Sequence, residues 1–320
     1  MPYSTKVNVS AMMEESYSST PMPRSLAIAV LVMLSTLILT GASGNAFVCN
    51  LLRRRRDLRK VSHYLLASLS LTGIITSLLG LPSLLIAALV NYLQAGDLPI
   101  AQTLCKLGFP FCVGCVALNA LTITLMAIDR HDCAVRPFRR RLSTQNVKKI
   151  LSLTWLVGFM IAAVLLVLFR KETFVCYTWF PYEQSKAFQT EQGNVIRIYL
   201  TTMAQLDTLA IVLVIITFFR VLKKLRSQVI PQLTNSTIQQ RQEKQLTRLT
   251  YGISGTYILF RIPLIICNIV ASAVEFQGRA LNTALLLTNV MVFSTFVLNP
   301  VLNFKMLRIR QPNRAGPAAT

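Results

Sequence analysis

Seven long apolar runs, separated by polar and basic segments, make up most of this sequence. About 20 apolar residues at ~1.5 Å per residue cover the ~30 Å hydrocarbon layer of a bilayer, so runs of this length are typical of spanning helices. The pattern predicts an all-α bundle of seven transmembrane helices. The predicted spans are Ser25–Leu52, Val61–Gln94, Ala101–Val135, Val147–Phe169, Asn194–Ser227, Gln239–Val274 and Ala280–Phe304.

Basic residues are concentrated in alternate connections between these runs. Cytoplasmic loops of membrane proteins carry the excess of Lys and Arg, so the N-terminus is predicted outside the cell and the C-terminus inside. A nucleic-acid-binding protein would instead carry one basic face on a soluble domain. The net charge of +21 is therefore assigned to loops and not to a nucleic-acid surface. The basic segments are Arg53–Lys60, Arg130–Lys149, Arg220–Arg248 and Lys305–Arg314.

The chain divides into one membrane domain and two short ends. Residues 1–24 are predicted to form an extracellular tail, residues 25–304 the seven-helix domain and residues 305–320 a short cytoplasmic tail. The first segment has no basic region followed by a short apolar one, so no cleaved signal peptide is expected. Asn8-Val9-Ser10 is a candidate glycosylation site. The mean hydropathy of +0.53 agrees with an integral membrane protein.

Catalytic and metal chemistry are not expected. The chain has only two histidines, His63 and His131, so no metal site is predicted. It has no Ser/His/Asp set and no phosphate-binding loop, so neither an enzyme nor a cofactor is expected. The remaining candidate residues are cysteines and charges at particular places in the spans.

Cys105 and Cys176 are the cysteines on the poorly basic, extracellular side of the predicted spans. Disulfides persist outside the cell, whereas cytoplasmic thiols stay reduced. The sequence favours a Cys105–Cys176 bond, which would hold the segment Arg170–Arg197 over the outer mouth of the bundle. The alternative is a pair of unbonded thiols.

Two charged residues lie deep inside predicted spans. Asp207 lies 13 residues before Arg220, and Arg261 lies 13 residues after Arg248, at what we take to be the cytoplasmic edge. The two charges are therefore at similar depth, ~20 Å above that edge. Intramembrane charges are costly unless they are paired, and they often mark function. Either the two form a salt bridge, or Arg261 binds an acidic ligand group with Asp207 tuning it, or Arg261 has another partner.

Short motifs follow one another in order, about one per span. They are Gly44-Asn45, the HYLLASLSL stretch beginning at His63, Cys105, Asp129-Arg130-His131, Trp155, Phe260-Arg261-Ile262-Pro263 and Asn299-Pro300-Val301-Leu302-Asn303. Each alone is common, but the ordered set is specific. Over roughly residues 25–310 the sequence resembles the rhodopsin-like (class A) G-protein-coupled receptors. The resemblance implies a multi-pass plasma-membrane receptor that transmits an extracellular ligand signal to heterotrimeric G proteins.

The resemblance also implies a role for Arg130. In family members an acidic residue at the start of the sixth helix faces this arginine, and Glu243 occupies that place here. A pair between Arg130 and Glu243, beside Asp129, would hold the third and sixth helices together in the resting state. Its release would open a cleft for the G protein. The alternative is that Arg130 only reaches into water. The hydroxyl residues of the third cytoplasmic loop are candidates for phosphorylation and arrestin binding.

The sequence departs from the family pattern at several places. Gly73 replaces an acidic residue of the second helix, so no strong sodium site is expected. Arg261 replaces the tryptophan of the sixth-helix motif, Asn303 replaces the last tyrosine of the seventh, and the Asp-Arg motif ends in His131. These departures leave open a receptor-like protein with weak or no coupling. A transporter is less favoured, because seven spans cannot divide into equal repeats.

The ligand is expected to be a peptide or another non-amine. Cys112 stands where amine receptors carry an aspartate, so a cationic amine would lack its counter-ion. The last span contains no lysine, which a retinal Schiff base requires. Cys112, Asp207 and Arg261 are the candidate pocket residues.

A group of asparagines could form a hydrated path between the helices, or satisfy backbone groups freed by proline. Proline removes a helical hydrogen bond, so those inside spans are expected to kink their helices. The asparagines are Asn45, Asn119, Asn289, Asn299 and Asn303, and the prolines are Pro82, Pro263 and Pro300.

Overall fold

The structure, a computed structural model, describes residues 24–54, 61–93, 99–135, 142–168, 204–205, 207–221, 223, 238–273 and 279–309. Nearly all of these residues are helical. The helices are α1 (Arg24–Arg54), α2 (Val61–Ile75 and Leu81–Leu93, joined by a π-helical turn over Thr76–Gly80), α3 (Pro99–Val135), α4 (Thr144–Leu168), α5 (helical residues within 204–221), α6 (Ile238–Ala273) and α7 (Arg279–Ile309).

Six helices are long and apolar enough to cross a membrane among the residues that the structure describes. They correspond to six of the seven predicted spans, and most of their ends agree with the prediction within a few residues. The fifth span is described only as α5. α7 continues to Ile309, past the predicted boundary at Phe304. α4 begins at Thr144, before the predicted start at Val147, because the Ser143 hydroxyl accepts the Asn146 N–H at 3.1 Å and caps the helix.

α3 is the central helix, since it packs against α2, α4 and α6. Two apolar clusters surround it. The outer cluster lies toward the predicted extracellular side and includes Leu34, Phe109 and Phe296. The inner cluster lies toward the predicted cytoplasmic side and includes Ile123 and Tyr257. The bundle therefore has an apolar core at both levels, and buried polar groups must find partners within it.

Glycines let α3 and α4 approach closely. A Cβ atom placed on Gly114 would lie 2.6 Å from the carbonyl oxygen of Gly158. A Cβ atom on Gly158 would collide with Leu118. Small residues at helix crossings are a common device in membranes, where close backbone packing replaces the hydrophobic effect as the driving force.

Prolines interrupt four of the helices. Pro263 and Pro300 lie inside α6 and α7, as the sequence predicts, and Pro110 lies inside α3. Pro82 closely follows the π-helical turn of α2, in which the Leu81 N–H donates to the Thr76 carbonyl. A π turn closes after one residue more than a regular α turn. The turn places Gly80 against α3, where an added Cβ would lie 2.7 Å from the Cys112 sulfur.

Candidate functional site

The Asp129–Arg130 pair lies at the predicted cytoplasmic end of α3 and is almost fully buried. Arg130 folds back on its neighbour, with Nε donating to Asp129 Oδ2 at 3.1 Å and Nη2 also contacting that oxygen. The Ser62 hydroxyl of α2 joins both groups: it accepts from Arg130 Nη2 at 2.6 Å and donates to Asp129 Oδ2 at 2.9 Å. Arg130 is therefore tied to α2. The Glu243 side chain lies outside the described residues, so its pairing with Arg130 stays a prediction.

A cleft of about 220 Å³ lies beside Arg130, between α3, α5 and α6. Arg130 and Ala127 form its α3 wall, while Val214 and Phe218 belong to α5 and Tyr251 to α6. The Phe218 and Tyr251 rings pack edge to face, with centroids 4.3 Å apart. These rings hold α5 and α6 together next to the arginine, so movement of α6 would widen the cleft.

Asp207 and Arg261 form an ion pair between α5 and α6. Asp207 Oδ2 lies 3.2 Å from Arg261 Nη1. Arg261 is 3 % exposed and Asp207 is 8 % exposed. Of the alternatives that the sequence leaves open, the structure therefore contains the salt bridge, and this pairing does not exclude a second partner for Arg261.

Tyr257 completes this buried group, although no sequence motif singles it out. Its hydroxyl donates to Asp207 Oδ1 at 3.2 Å, and its ring centroid lies 5.7 Å from Arg261 Cζ. The spacing of Tyr257 and Arg261, four residues apart on α6, places them on one helix face. That spacing is the signal in the sequence that could have identified the tyrosine.

Asn45 and Gly73 meet where α1 and α2 cross, close to α7. Asn45 Nδ2 donates to the carbonyl oxygens of Gly41 and Phe296, each at 2.8 Å. A Cβ atom on Gly73 would lie 2.6 Å from Asn45 Nδ2. The Asn45 amide thus fills the space that a larger second-helix side chain would need.

The seven-transmembrane receptor model of the rhodopsin family matches residues 44–302, which is most of the chain. This protein belongs to the rhodopsin family of seven-transmembrane receptors. It is therefore a multi-pass plasma-membrane receptor and not an enzyme, as the sequence predicts.

Curated relatives of the receptor include neuropeptide Y receptors type 2 from several mammals. The Cavia porcellus protein is 24% identical over 266 residues, covering 80% of this chain and 65% of that protein. The Mus musculus protein is 25% identical over 240 residues, covering 72% and 59%. The Homo sapiens protein is 23% identical over 248 residues, covering 74% and 61%. The chain thus spans less than two thirds of the length of each of these relatives.

Buried amides in the receptor core lack partners among the described residues. Asn299 and Asn303 are 2 % and 1 % exposed, and both side-chain polar atoms of each are without a hydrogen bond there. Asn119 Oδ1 has none either. Asn289 differs, because its Nδ2 donates to Leu285 O of its own helix at 2.9 Å. Unpaired buried amides are costly, and water molecules between the helices would satisfy them, so the hydrated path stays a prediction.

Trp155 lies on α4 and joins it to α2. Its indole Nε1 donates to the Ser68 hydroxyl at 3.1 Å, and that hydroxyl lies 3.5 Å from the Thr122 hydroxyl of α3. Trp155 therefore positions three helices of the bundle relative to one another.

The cysteines are placed in two different environments. Cys105 is disulfide-bonded, but Cys176 lies outside the described residues, so the Cys105–Cys176 pairing stays a prediction. Asn8 lies outside them as well. Cys112 is a buried thiol of the outer cluster, packed against Gly80.

Cys112 and Cys115 are separated by two residues, which is a C-x-x-C spacing. Both are free thiols. Within the described part of the chain, no group of three or more His, Cys, Asp or Glu side chains could hold a metal ion. The two thiols are buried within the described bundle.

Proposed function

We propose that this receptor binds an extracellular peptide and transmits the signal to a heterotrimeric G protein at the Arg130 cleft. The observation that carries the proposal is the position of Arg130, held by Asp129 and Ser62 at the edge of a cleft between α3, α5 and α6. A buried cation thus lies beside a pair of helices whose separation would expose it.

The described arrangement supports a resting state. Phe218 of α5 packs edge to face against Tyr251 of α6, and both rings line the cleft beside Arg130. We therefore expect α6 to move outward when the C-terminal helix of a Gα subunit binds there. An agonist that binds the open form more tightly would shift the receptor toward it. Arg130 would then exchange its contacts with Ser62 for contacts with the G protein.

The peptide class of ligand rests on two observations. The similar curated proteins are named as neuropeptide Y receptors. Cys112 is an uncharged residue packed in the outer cluster, so it offers no counter-ion to an amine. We therefore propose a peptide and not a biogenic amine.

A receptor that couples weakly is the second candidate. The observation that favours it is Asn303, a buried amide without a partner among the described residues, where the family motif ends in tyrosine. Arrestin binding through the third cytoplasmic loop is a further proposal, and the loop hydroxyls Ser227, Thr234, Ser236 and Thr237 lie outside the described residues.

Recruitment of Gα proteins to the receptor in cells distinguishes these candidates. A collection of peptides should include one that recruits at least one Gα class, and Arg130→Ala should abolish that recruitment at equal surface expression. Arg54→Ala is the matched control, because Arg54 is an exposed cytoplasmic arginine at the end of α1. Ligand binding without recruitment of any Gα class would establish the weakly coupling candidate instead.

A further inference from the structure

The guanidinium of Arg261 is only half used by the ion pair with Asp207. Nη1 faces Asp207, whereas Nε and Nη2 are buried without a hydrogen-bond partner among the described residues. Arg261 is not exposed to lipid or solvent, because only 3 % of its surface is accessible. Two charged donors on one side chain thus remain unsatisfied inside the described bundle, where each such donor costs about 1–3 kcal/mol or more.

The two unused nitrogens define the shape of the missing partner. Nε and Nη2 lie on the same edge of the guanidinium plane and point their N–H groups in parallel. This fork matches the two oxygens of a carboxylate, which it binds through two parallel hydrogen bonds. A water molecule or a carbonyl group can also accept from these donors, but neither brings the negative charge that pairs with a buried cation.

The described side chains around Arg261 do not supply that carboxylate. The Tyr257 hydroxyl is engaged with Asp207, and its ring covers one face of Arg261. Cys112 is a neutral thiol of the outer cluster. Asp207 accepts from both Arg261 and Tyr257, so its charge is shared between two donors. Because the Tyr257 hydroxyl also stabilises the Asp207 carboxylate, the Nε–Nη2 edge of Arg261 is available to a second acceptor group.

The depth of Arg261 sets the length of ligand needed to reach it. α6 continues from Arg261 to Ala273, and these twelve further residues rise ~18 Å toward the outer surface. An extended peptide covers ~3.4 Å per residue, so its last five residues or so reach the same depth.

We infer that the Nε–Nη2 edge of Arg261 binds a carboxylate at the end of the ligand that inserts into the bundle. The carboxylate is either the free C-terminus of a peptide or an acidic side chain next to that end. The inference rests on the proposed function for the peptide nature of the ligand. Carboxylate binding at Arg261 does not, however, require G-protein coupling.

Thermal unfolding of the purified receptor in detergent, titrated with acetate, tests the site without a known ligand. Acetamide has the same shape but no charge, and sodium chloride keeps the ionic strength constant. Acetate should raise the unfolding temperature with a saturable dependence, and acetamide should not. Equal effects of acetate, acetamide and chloride would overturn the inference, and a signalling defect would not affect this result.

Two substitutions locate the binding. Arg261→Lys keeps a cation opposite Asp207 but removes the fork, so it should weaken acetate binding at least tenfold. Asp207→Asn keeps the fork but leaves the buried Arg261 without its counter-ion, so this variant should unfold at a lower temperature, and acetate should recover part of that loss. The matched control Arg54→Lys, on the exposed end of α1, should leave the acetate effect unchanged. Unaltered acetate binding in Arg261→Lys would place the anion elsewhere and overturn the assignment.

Three five-residue peptide pools identify the source of the carboxylate by competition with acetate. One pool ends in a free carboxylate, one in an amide, and one in an amide preceded by Asp. Displacement by the first pool alone indicates the C-terminus, and displacement by the third indicates a side chain. Equal displacement by all three pools would contradict carboxylate recognition of the ligand.

Discussion

Asn45 Nδ2 donates to the carbonyl oxygen of Phe296, which lies four residues before Pro300. A regular helix would supply that carbonyl with the N–H of residue 300, and proline has none. Asn45 of α1 therefore provides the donor that α7 lacks and joins the two helices where α7 is interrupted.

Replacement of Asn45 by Ala should lower the free energy of unfolding by about 1–3 kcal/mol, because the Phe296 carbonyl would be left buried without a donor. Thermal unfolding in detergent measures the loss. Asn289→Ala is the control, since Asn289 bonds within its own helix, and it should cost less. Equal losses of unfolding free energy in the two variants would show that the hydrogen bond between α1 and α7 stabilises the receptor no more than one within a single helix.

Replacement of Gly73 by Ala should destabilise the receptor by about 1–3 kcal/mol, because the new Cβ would overlap the Asn45 amide. Gly255→Ala is the matched control, since no atom lies within 4 Å of a Cβ at that exposed position. The control should be neutral or stabilising by up to about 1 kcal/mol, as expected for Gly→Ala in a helix. A similar loss in both variants would contradict the packing of Asn45 against Gly73.

Charge reversal tests the ion pair between α5 and α6. Asp207→Arg and Arg261→Asp should each reduce surface expression strongly, since an unpaired buried charge costs about 3–5 kcal/mol. The double variant restores opposite charges and should recover part of the expression. An N-terminal tag, detected by antibody on intact cells, gives the measurement and also tests the predicted orientation. A double variant no better than the singles would argue against direct pairing.

Ser62→Ala should raise basal signalling, because Arg130 would lose the hydroxyl that ties it to α2. A lost hydrogen bond to a charged group, worth about 1.5 kcal/mol, corresponds to an increase of about tenfold in the unrestrained population. Gα recruitment without added ligand measures the effect. Ser43→Ala is the control, since Ser43 is exposed and bonds to its own helix. Basal activity equal to that of the control would mean that Ser62 does not restrain Arg130.

The sequence predicts the helices well because spanning segments are defined locally by length and apolarity. The similar depths of Asp207 and Arg261 also follow from counting residues, and the structure brings them together. Local patterns do not define which atoms meet across the bundle. Ser62 is not identifiable in this way, because nothing near it in the sequence points to Arg130.

The surroundings of Cys112 are a second feature that the sequence alone does not predict. Its position in the third helix suggests a ligand pocket, but its sulfur packs against Gly80 of α2. That contact depends on the π-helical turn before Pro82, which no periodicity of apolar residues distinguishes from a regular helix. The free edge of Arg261 likewise follows from a geometry that residue types alone do not give.

The π-helical turn of α2 also affects how this receptor is compared with others. Because the turn over Thr76–Gly80 holds one residue more than an α turn, the side chains from Leu81 to Val90 are rotated by ~100° relative to an uninterrupted helix. A relative with a regular second helix would present the preceding residue at each of these positions. Mutational data from such a relative should therefore be transferred to this half of α2 with a shift of one residue, even where the two sequences align without a gap.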